Sequence, residues 1–184
     1  DSPDAVELLP KSIGNESAKQ VVEALGGHPL ALHLWSPDEE IPEEGQAVQD
    51  FVQRTVLRRL TDEGLGTLDE LSLSPLPLSV EELSVADGIA ELDDSAVLRW
   101  MQSLVEPHHL IRNVRRATVD EKIARELHTK AAGIWSKREG NRARRIEAHH
   151  RLNSGDELDT EWLVESVAKI SLEDSAAAAV LIDD

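Results

Sequence analysis

The sequence lacks cysteine and tyrosine, and it has only one phenylalanine and one methionine among 184 residues. Without cysteine the chain has no disulfide framework, no thiolate metal ligand and no cysteine nucleophile. No apolar run approaches the roughly 20 residues that a membrane span needs. No basic segment followed by an apolar stretch opens the chain, so no signal peptide is visible and we expect a cytoplasmic protein.

Basic residues are also scarce, with 19 Lys and Arg against 36 Asp and Glu, and the formal net charge is −17. Concentrated salt screens the repulsion between surface carboxylates, so this composition favours a halophilic protein. The alternatives are an acidic protein from a low-salt organism and a partly disordered tail.

The basic residues that are present cluster in one part of the chain. Residues 112–151, here called the basic island, hold twelve Lys and Arg and five Asp and Glu, whereas the remainder holds seven and 31. Such an island can contact nucleotide phosphates, lie on DNA, or dock on an acidic surface of the same protein or of a partner.

The first 60 residues read as helices. Apolar residues three and four apart, such as Val21, Val22 and Leu25, predict a helix that ends at two glycines, and Pro29 begins the next helix. Another apolar stripe predicts a helix over residues 48–60.

The pattern of residues 61–138 predicts a winged helix-turn-helix. A helix around residues 65–71 precedes a short edge strand and a capping box formed by Ser79 and Glu82. The apolar spacing of residues 95–105 predicts a further helix, and residues 110–114 and 117–119 predict a two-stranded ribbon, the wing.

Residues 139–184 predict antiparallel helices over 142–153, 161–170 and 175–181. Helix pairs of this size are typical of the start of a helical repeat array. The fold class is therefore mainly α, with domains at 1–60, 61–138 and 139–184. The chain begins without Met and ends abruptly, so we expect a piece of a longer protein.

The segment VEALGGHPLAL, residues 22–32, resembles a motif of the STAND class of signalling ATPases, which includes NB-ARC and NACHT-type proteins. In that class a helical lid carries the motif, a winged helix follows it, and TPR-like repeats come next. Residues 127–129, Leu-His-Thr, occupy the place of a Leu or Met-His-Asp motif, and residues 147–156 are similar to the first repeat helices.

The resemblance implies ATP or ADP with Mg²⁺ as the cofactor of the parent protein, with Pro29 near the adenine and His128 at the phosphates. Thr129 stands where the family has an acid. The chain has no G-x-x-x-x-G-K-[ST] loop, so we expect no ATP hydrolysis by this chain alone and an upstream P-loop domain as a partner. A protein trigger at the repeats and oligomerisation on activation are further implications.

Two alternatives remain open, a winged-helix DNA-binding regulator and a helical protein-interaction scaffold. In the first, Arg112, Arg115 and Arg116 of the wing meet phosphates, and the same residues are candidates for nucleotide phosphates. The expected recognition helix, 95–105, carries Arg99 as its one base, which disfavours DNA. Adjacent histidines point about 100° apart on a helix, so no metal site is expected.

Overall fold

The computed structural model describes residues 3–38 and 48–173. These residues are mainly helical, with one small three-stranded antiparallel sheet, in agreement with the coarse fold class expected from the sequence. The α-helices are α1 (Pro3–Glu7), α2 (Asn15–Ala24), α3 (Pro29–Leu34), α4 (Val48–Thr55), α5 (Asp62–Leu73), α6 (Ile89–Asp94), α7 (His109–Thr118), α8 (Glu121–Trp135), α9 (Asn141–Ser154) and α10 (Thr160–Glu173).

The glycine and proline signals of the first 38 residues operate as predicted. Helix α2 is followed by Gly26 and Gly27, whose φ angles of 59° and 66° are left-handed and favour glycine. Pro29 occupies the first turn of α3, where its missing N–H leaves no helical hydrogen bond unmade. The chain thus turns sharply between two short helices, whose buried faces join the main core.

The sheet comprises β1 (Leu78–Ser79), β2 (Leu98–Met101) and β3 (Leu104–Pro107), in the spatial order β1-β3-β2. Strand β3 is central: Val105 pairs with Leu78 on one side and with Trp100 on the other. Ser79 and Glu82 form the predicted capping box, but it caps only a 3-10 helix, Val80–Glu82.

The predicted helix over 48–60 extends only to Thr55 and is followed by a 3-10 segment, Leu57–Arg59. Two further local predictions are wrong. Residues 95–105 form most of the β2–β3 hairpin rather than a helix, and residues 110–119 form most of α7 rather than a ribbon. The hairpin turn contains Gln102, whose φ is 59°, so a left-handed position is filled here without glycine. In α7 the buried residues Ile111 and Val114 lie three apart, on one helical face.

Buried residues from Ala5 to Ile146 form one hydrophobic cluster, the main core. A separate small cluster contains Ala148 and Ile170, with partly buried side chains of α10 packed on it. Helix α9 contributes to both, because Ile146 belongs to the first cluster and Ala148 to the second. The predicted helices at 142–153 and 161–170 are present, whereas the one at 175–181 lies outside the described residues.

None of the helices in the described ranges is long and apolar enough to cross a membrane.

Candidate functional site

Pro29, the predicted adenine contact, is exposed at the start of α3. Its neighbour His28 is half-buried, and the Nδ1 atom of that imidazole has no hydrogen-bond partner among the residues that the structure describes. At the other end of α3, Trp35 is 4% exposed and lies in the core, and its Nε1 atom is also without a partner in the described part of the chain. Because Pro29 itself is exposed, its ring is accessible to a molecule outside the chain.

Arg112 binds the sheet. Its guanidinium donates to Glu106 of β3 at 2.6 Å, and Arg99 of β2 pairs with the same carboxylate. Burial acts to raise the pKa of Glu106, but the hydrogen bonds from Arg99 and Arg112 outweigh it and hold the pKa below its usual value. Glu106 thus stays charged and joins the hairpin to α7.

Arg115 and Arg116 bind α5. Arg115 forms a two-pronged ion pair with Asp69, and its Nη2 atom lies 2.9 Å from Asp69 Oδ2. Arg116 donates to the carbonyl oxygens of Ser72 and Ser74, at 2.6 and 3.3 Å, where α5 ends. The expected position of these arginines in a β-ribbon is wrong, because α7 carries them against neighbouring elements of the same chain.

Helix α9 is attached in a similar way. Arg142 donates from two nitrogen atoms to both carboxylate oxygens of Glu82, at 2.9 and 2.8 Å, and also to the carbonyl of Pro77. Arg138, just before α9, donates to the carbonyl of Glu82. The hydrogen bond from Arg142 is the main reason that the pKa of Glu82 lies below its usual value.

For part of the basic island, these contacts favour one of the three interpretations, that of docking on an acidic surface of the same protein. Five of its arginines dock on carboxylates or carbonyls elsewhere in the chain: Arg112, Arg115, Arg116, Arg138 and Arg142. Their guanidinium groups are therefore bound to other parts of the chain, although Arg116 and Arg142 remain exposed to solvent. The sequence showed the island, but it did not show the acidic partners, which lie 6 to 60 residues away along the chain.

The helix that precedes the hairpin is acidic. Helix α6 has the sequence IAELDD and carries no basic residue. Glu91 accepts hydrogen bonds from the amide and hydroxyl of Thr61, at 2.9 and 2.6 Å. The exposed ring of Trp100 on β2 donates its indole N–H to Asp93 at 2.7 Å. This region therefore offers carboxylates and a fixed indole to its surroundings.

His128, the predicted phosphate sensor, faces inward from α8 and is 7% exposed. Its Nδ1 atom lies 2.8 Å from Nδ1 of His150 on α9. The ring of His149 is next to both, and the three ring centroids are 5.0, 5.5 and 5.8 Å apart. We call these three residues the histidine cluster.

Burial keeps two of these rings neutral at pH 7. It lowers the pKa of His128 to about 4, and the charges of His149 and Arg116 act in the same direction. Burial also lowers the pKa of His150 to about 3, with His128 and His149 contributing. A hydrogen bond between two Nδ1 atoms requires one ring to donate and the other to accept, which two neutral imidazoles can do.

A polar groove of about 200 Å³ lies beside the cluster. Thr129 lines this groove, and its hydroxyl donates a hydrogen bond to Asp156, with Oγ1 and Oδ2 2.9 Å apart. Arg151 on another wall pairs with Glu147 and stacks over the ring of Trp162 at 4.5 Å. The Thr129 hydroxyl therefore binds an acid supplied by the turn after α9.

The sequence identified His128 but missed its partners. The adjacent histidines of α9 were visible, yet their convergence on a ring 22 residues earlier depends on how α8 packs on α9. Histidines four residues apart would have been recognisable in the sequence as neighbours on one face of a single helix. Here two different helices supply the rings, so no such spacing exists. Among the described residues, no group of three histidine, aspartate, glutamate or cysteine side chains could hold a metal ion.

Comparisons with protein-family models, with curated proteins and with solved structures gave no match to this chain.

Proposed function

We propose that this chain is the regulatory part of a STAND-type ATPase, in which an upstream P-loop domain binds ATP or ADP with Mg²⁺. The observation that carries the proposal is the arrangement of residues 62–107. In chain order this region contains α5, strand β1, a 3-10 segment, α6 and the β2–β3 hairpin. Its three strands form a sheet in the order β1-β3-β2. This arrangement is typical of a winged helix, and it follows the VEALGGHPLAL segment as the resemblance requires.

The described contacts support a mechanical role for the winged helix. Arginines of α7 attach that helix to α5 and to the hairpin of the winged helix, and Arg142 attaches α9 to Glu82. A displacement of the winged helix is therefore transmitted to α9 and α10, which we propose as the start of a repeat array that receives a protein trigger. Nucleotide state would bias the position of these joined elements.

The two nucleotide contacts inferred from the family differ in what they require. Pro29 is exposed and can meet an adenine ring without rearrangement. His128 is turned toward His150, so it can reach a phosphate only if α8 and α9 separate locally. We therefore propose that a phosphate contact of His128 and the closed α8–α9 contact exclude each other.

Direct DNA binding is less well supported. In a winged helix the helix before the hairpin enters the major groove, and here that helix is acidic and short. DNA phosphates would meet Glu91, Asp93 and Asp94 at close range, and like charges in contact oppose association. The three arginines proposed for phosphate contact are bound within the chain.

The proposal is tested on the protein encoded by the whole reading frame that contains this chain. We expect a P-loop about 150–250 residues before Asp1, a domain's length away. A titration of that protein with fluorescent ADP would show binding, and Pro29→Ala would weaken it about three- to tenfold by removing an apolar contact worth about 1 kcal/mol.

Pro37→Ala is the matched control, since Pro37 is also exposed and follows α3 at its other end. It should leave ADP affinity unchanged. A reading frame without a P-loop would refute the proposal, and so would ADP binding that Pro29→Ala and Pro37→Ala affect equally.

A further inference from the structure

The contact between α8 and α9 includes two buried imidazoles that hydrogen-bond to each other. His128 and His150 are 7% and 3% exposed, and their Nδ1 atoms are 2.8 Å apart. A buried histidine that is used only for packing needs no second imidazole as a partner. We propose that this contact is an acid-sensitive joint, which holds α8 against α9 while both rings are neutral and opens locally when they gain protons.

The proton chemistry of the pair gives two steps. One ring donates its Nδ1–H, and the other accepts through its Nδ1 lone pair. A first proton added to Nε2 of the donor ring keeps this hydrogen bond but places a positive charge in a buried position. A second proton, on Nδ1 of the acceptor ring, consumes the lone pair, so two N–H groups then face each other. Both steps favour an open joint in which the rings meet water.

The surroundings of the pair oppose a positive charge. Arg116 of α7 and His149 of α9 act on His128, while His128 and His149 act on His150. No charged group of α5 or α10 is among those that act on either ring in the described part of the chain. Two carboxylates of this region are otherwise engaged, Glu147 with Arg151 and Asp156 with Thr129.

The position of the joint makes the opening local. The main core includes α9 as far as Ile146, and the small cluster of Ala148 and Ile170 begins just beyond it. His150 lies two residues beyond Ala148, toward the C-terminal end of α9. Loss of the His128–His150 contact therefore separates the second half of α9 and α10 from α8, while the arginine-linked elements α5 and α7 stay in place.

The sign of the pH dependence follows from the depressed pKa values. Both pKa values are lower in the closed joint, about 4 and about 3, than the ordinary histidine value of 6.5 that the open joint restores. The stability of the closed joint is therefore complete above pH 6.5 and falls as the pH drops from 6.5 through 4 and 3. Between pH 7.5 and 5.5 the open population rises about tenfold for each histidine, or about 100-fold for both.

The experiment is hydrogen–deuterium exchange of this chain at pH 7.5 and 5.5, expressed as protection relative to the intrinsic exchange rate at each pH. We expect peptides of α8 and α9 near the joint to lose about 100-fold of their protection, while peptides of α5 and α7 keep theirs. His128→Leu should reduce this loss to about tenfold, and His128→Leu/His150→Leu, which keeps an apolar contact, should abolish it.

His109→Gln is the control, since His109 is an exposed histidine of α7 and its loss should leave the 100-fold change intact. Equal loss of protection in α5 would identify acid unfolding of the whole chain and overturn the proposal. A double-leucine variant that still loses 100-fold would also overturn it.

The wild-type chain gives a second test if the double variant does not fold. Nitrogen chemical shifts of the imidazoles should show both rings neutral at pH 5.5 whenever α8 and α9 are closed. A protonated His128 or His150 at pH 5.5 in a chain whose α8–α9 amides remain protected would refute the joint.

Discussion

Asp69 is the clearest case of a single residue whose partner makes its burial possible. Its side chain is 10% exposed on α5, and the guanidinium of Arg115 supplies both a charge and two donors. A carboxylate in such a position is costly without a partner, because it loses water and gains no compensating contact. The ion pair therefore fixes how α7 lies on α5.

We expect Arg115→Ala to lower the free energy of unfolding by about 2–4 kcal/mol, since it leaves Asp69 buried and unpaired. Urea denaturation at pH 7 measures this change. Arg125→Ala is the control: Arg125 pairs with Glu121 one turn earlier on an exposed face, and such pairs contribute about 0.5 kcal/mol or less.

The double variant Asp69→Leu/Arg115→Met separates pairing from packing. It should be more stable than Arg115→Ala alone, because no unpaired charge is left in the buried position. If the double variant is the less stable of the two, the penalty does not come from the orphaned carboxylate.

The histidine cluster shows where prediction at the scale of single residues stops. Leu-His-Thr drew attention to His128 through a family resemblance, and the structure puts that ring against His150. The distance between the two nitrogen atoms depends on the helix-to-helix packing. No local pattern of residue types encodes this, so the cluster became visible only when the two helices were placed together.

Helices α5 and α6 meet at Gly88. A Cβ atom at this position would lie 2.6 Å from the carbonyl oxygen of Glu63 and 2.6 Å from Cα of Gly64, both backbone atoms that cannot rotate away. The backbone N–H of Gly88 also donates a hydrogen bond to the hydroxyl oxygen of Thr67 on α5, at 3.2 Å. The two helices can approach this closely only with glycine here.

Gly88→Ala should therefore lower the free energy of unfolding by about 2 kcal/mol or more, the range of strained or overpacked sites. Gly133→Ala makes the same chemical change in α8, where the new methyl group meets nothing within 4 Å, and should raise stability by about 0.5–1 kcal/mol. Thermal melts of the two variants compare them directly, and equal effects would contradict the proposed close approach.

Prediction succeeded for elements whose ends carry strong signals. Gly26, Gly27 and Pro29 mark ends that the structure places where expected. It failed at residues 95–119, where the apolar residues of the hairpin also fit one helical face. The hairpin has Gln102 in its left-handed turn position and offers none of the glycine or asparagine that marks most tight turns.

The whole molecule carries a strongly negative net charge, even with the basic island included. Several arginines are used inside the fold, and the net charge of −17 must be carried largely by exposed carboxylates. Mutual repulsion of these charges opposes the compact state. Salt weakens the repulsion, and at 0.1 M it largely screens charges that are more than about 10 Å apart.

We expect the unfolding midpoint to rise by about 2–8 °C between 0.1 and 2 M KCl, corresponding to about 1–2 kcal/mol. The control is a variant with three exposed carboxylates neutralised, Glu7→Gln/Glu23→Gln/Glu157→Gln, whose midpoint should rise less. Thermal melts followed by circular dichroism provide the measurement. Identical salt dependence in the two proteins would contradict screening of surface charge as the cause.

The long reach of the α7 arginines also determines the order in which the chain can assemble during synthesis. Asp69 leaves the ribosome 46 residues before Arg115, and Ser72 precedes Arg116 by 44. Until α7 emerges, α5 has a carboxylate and a helix end that only water can satisfy. Helices α8 and α9, by contrast, are neighbours in sequence and can pair as soon as both are made. A nascent chain therefore cannot complete the contacts of its sheet-containing half until the arginines of α7 have emerged.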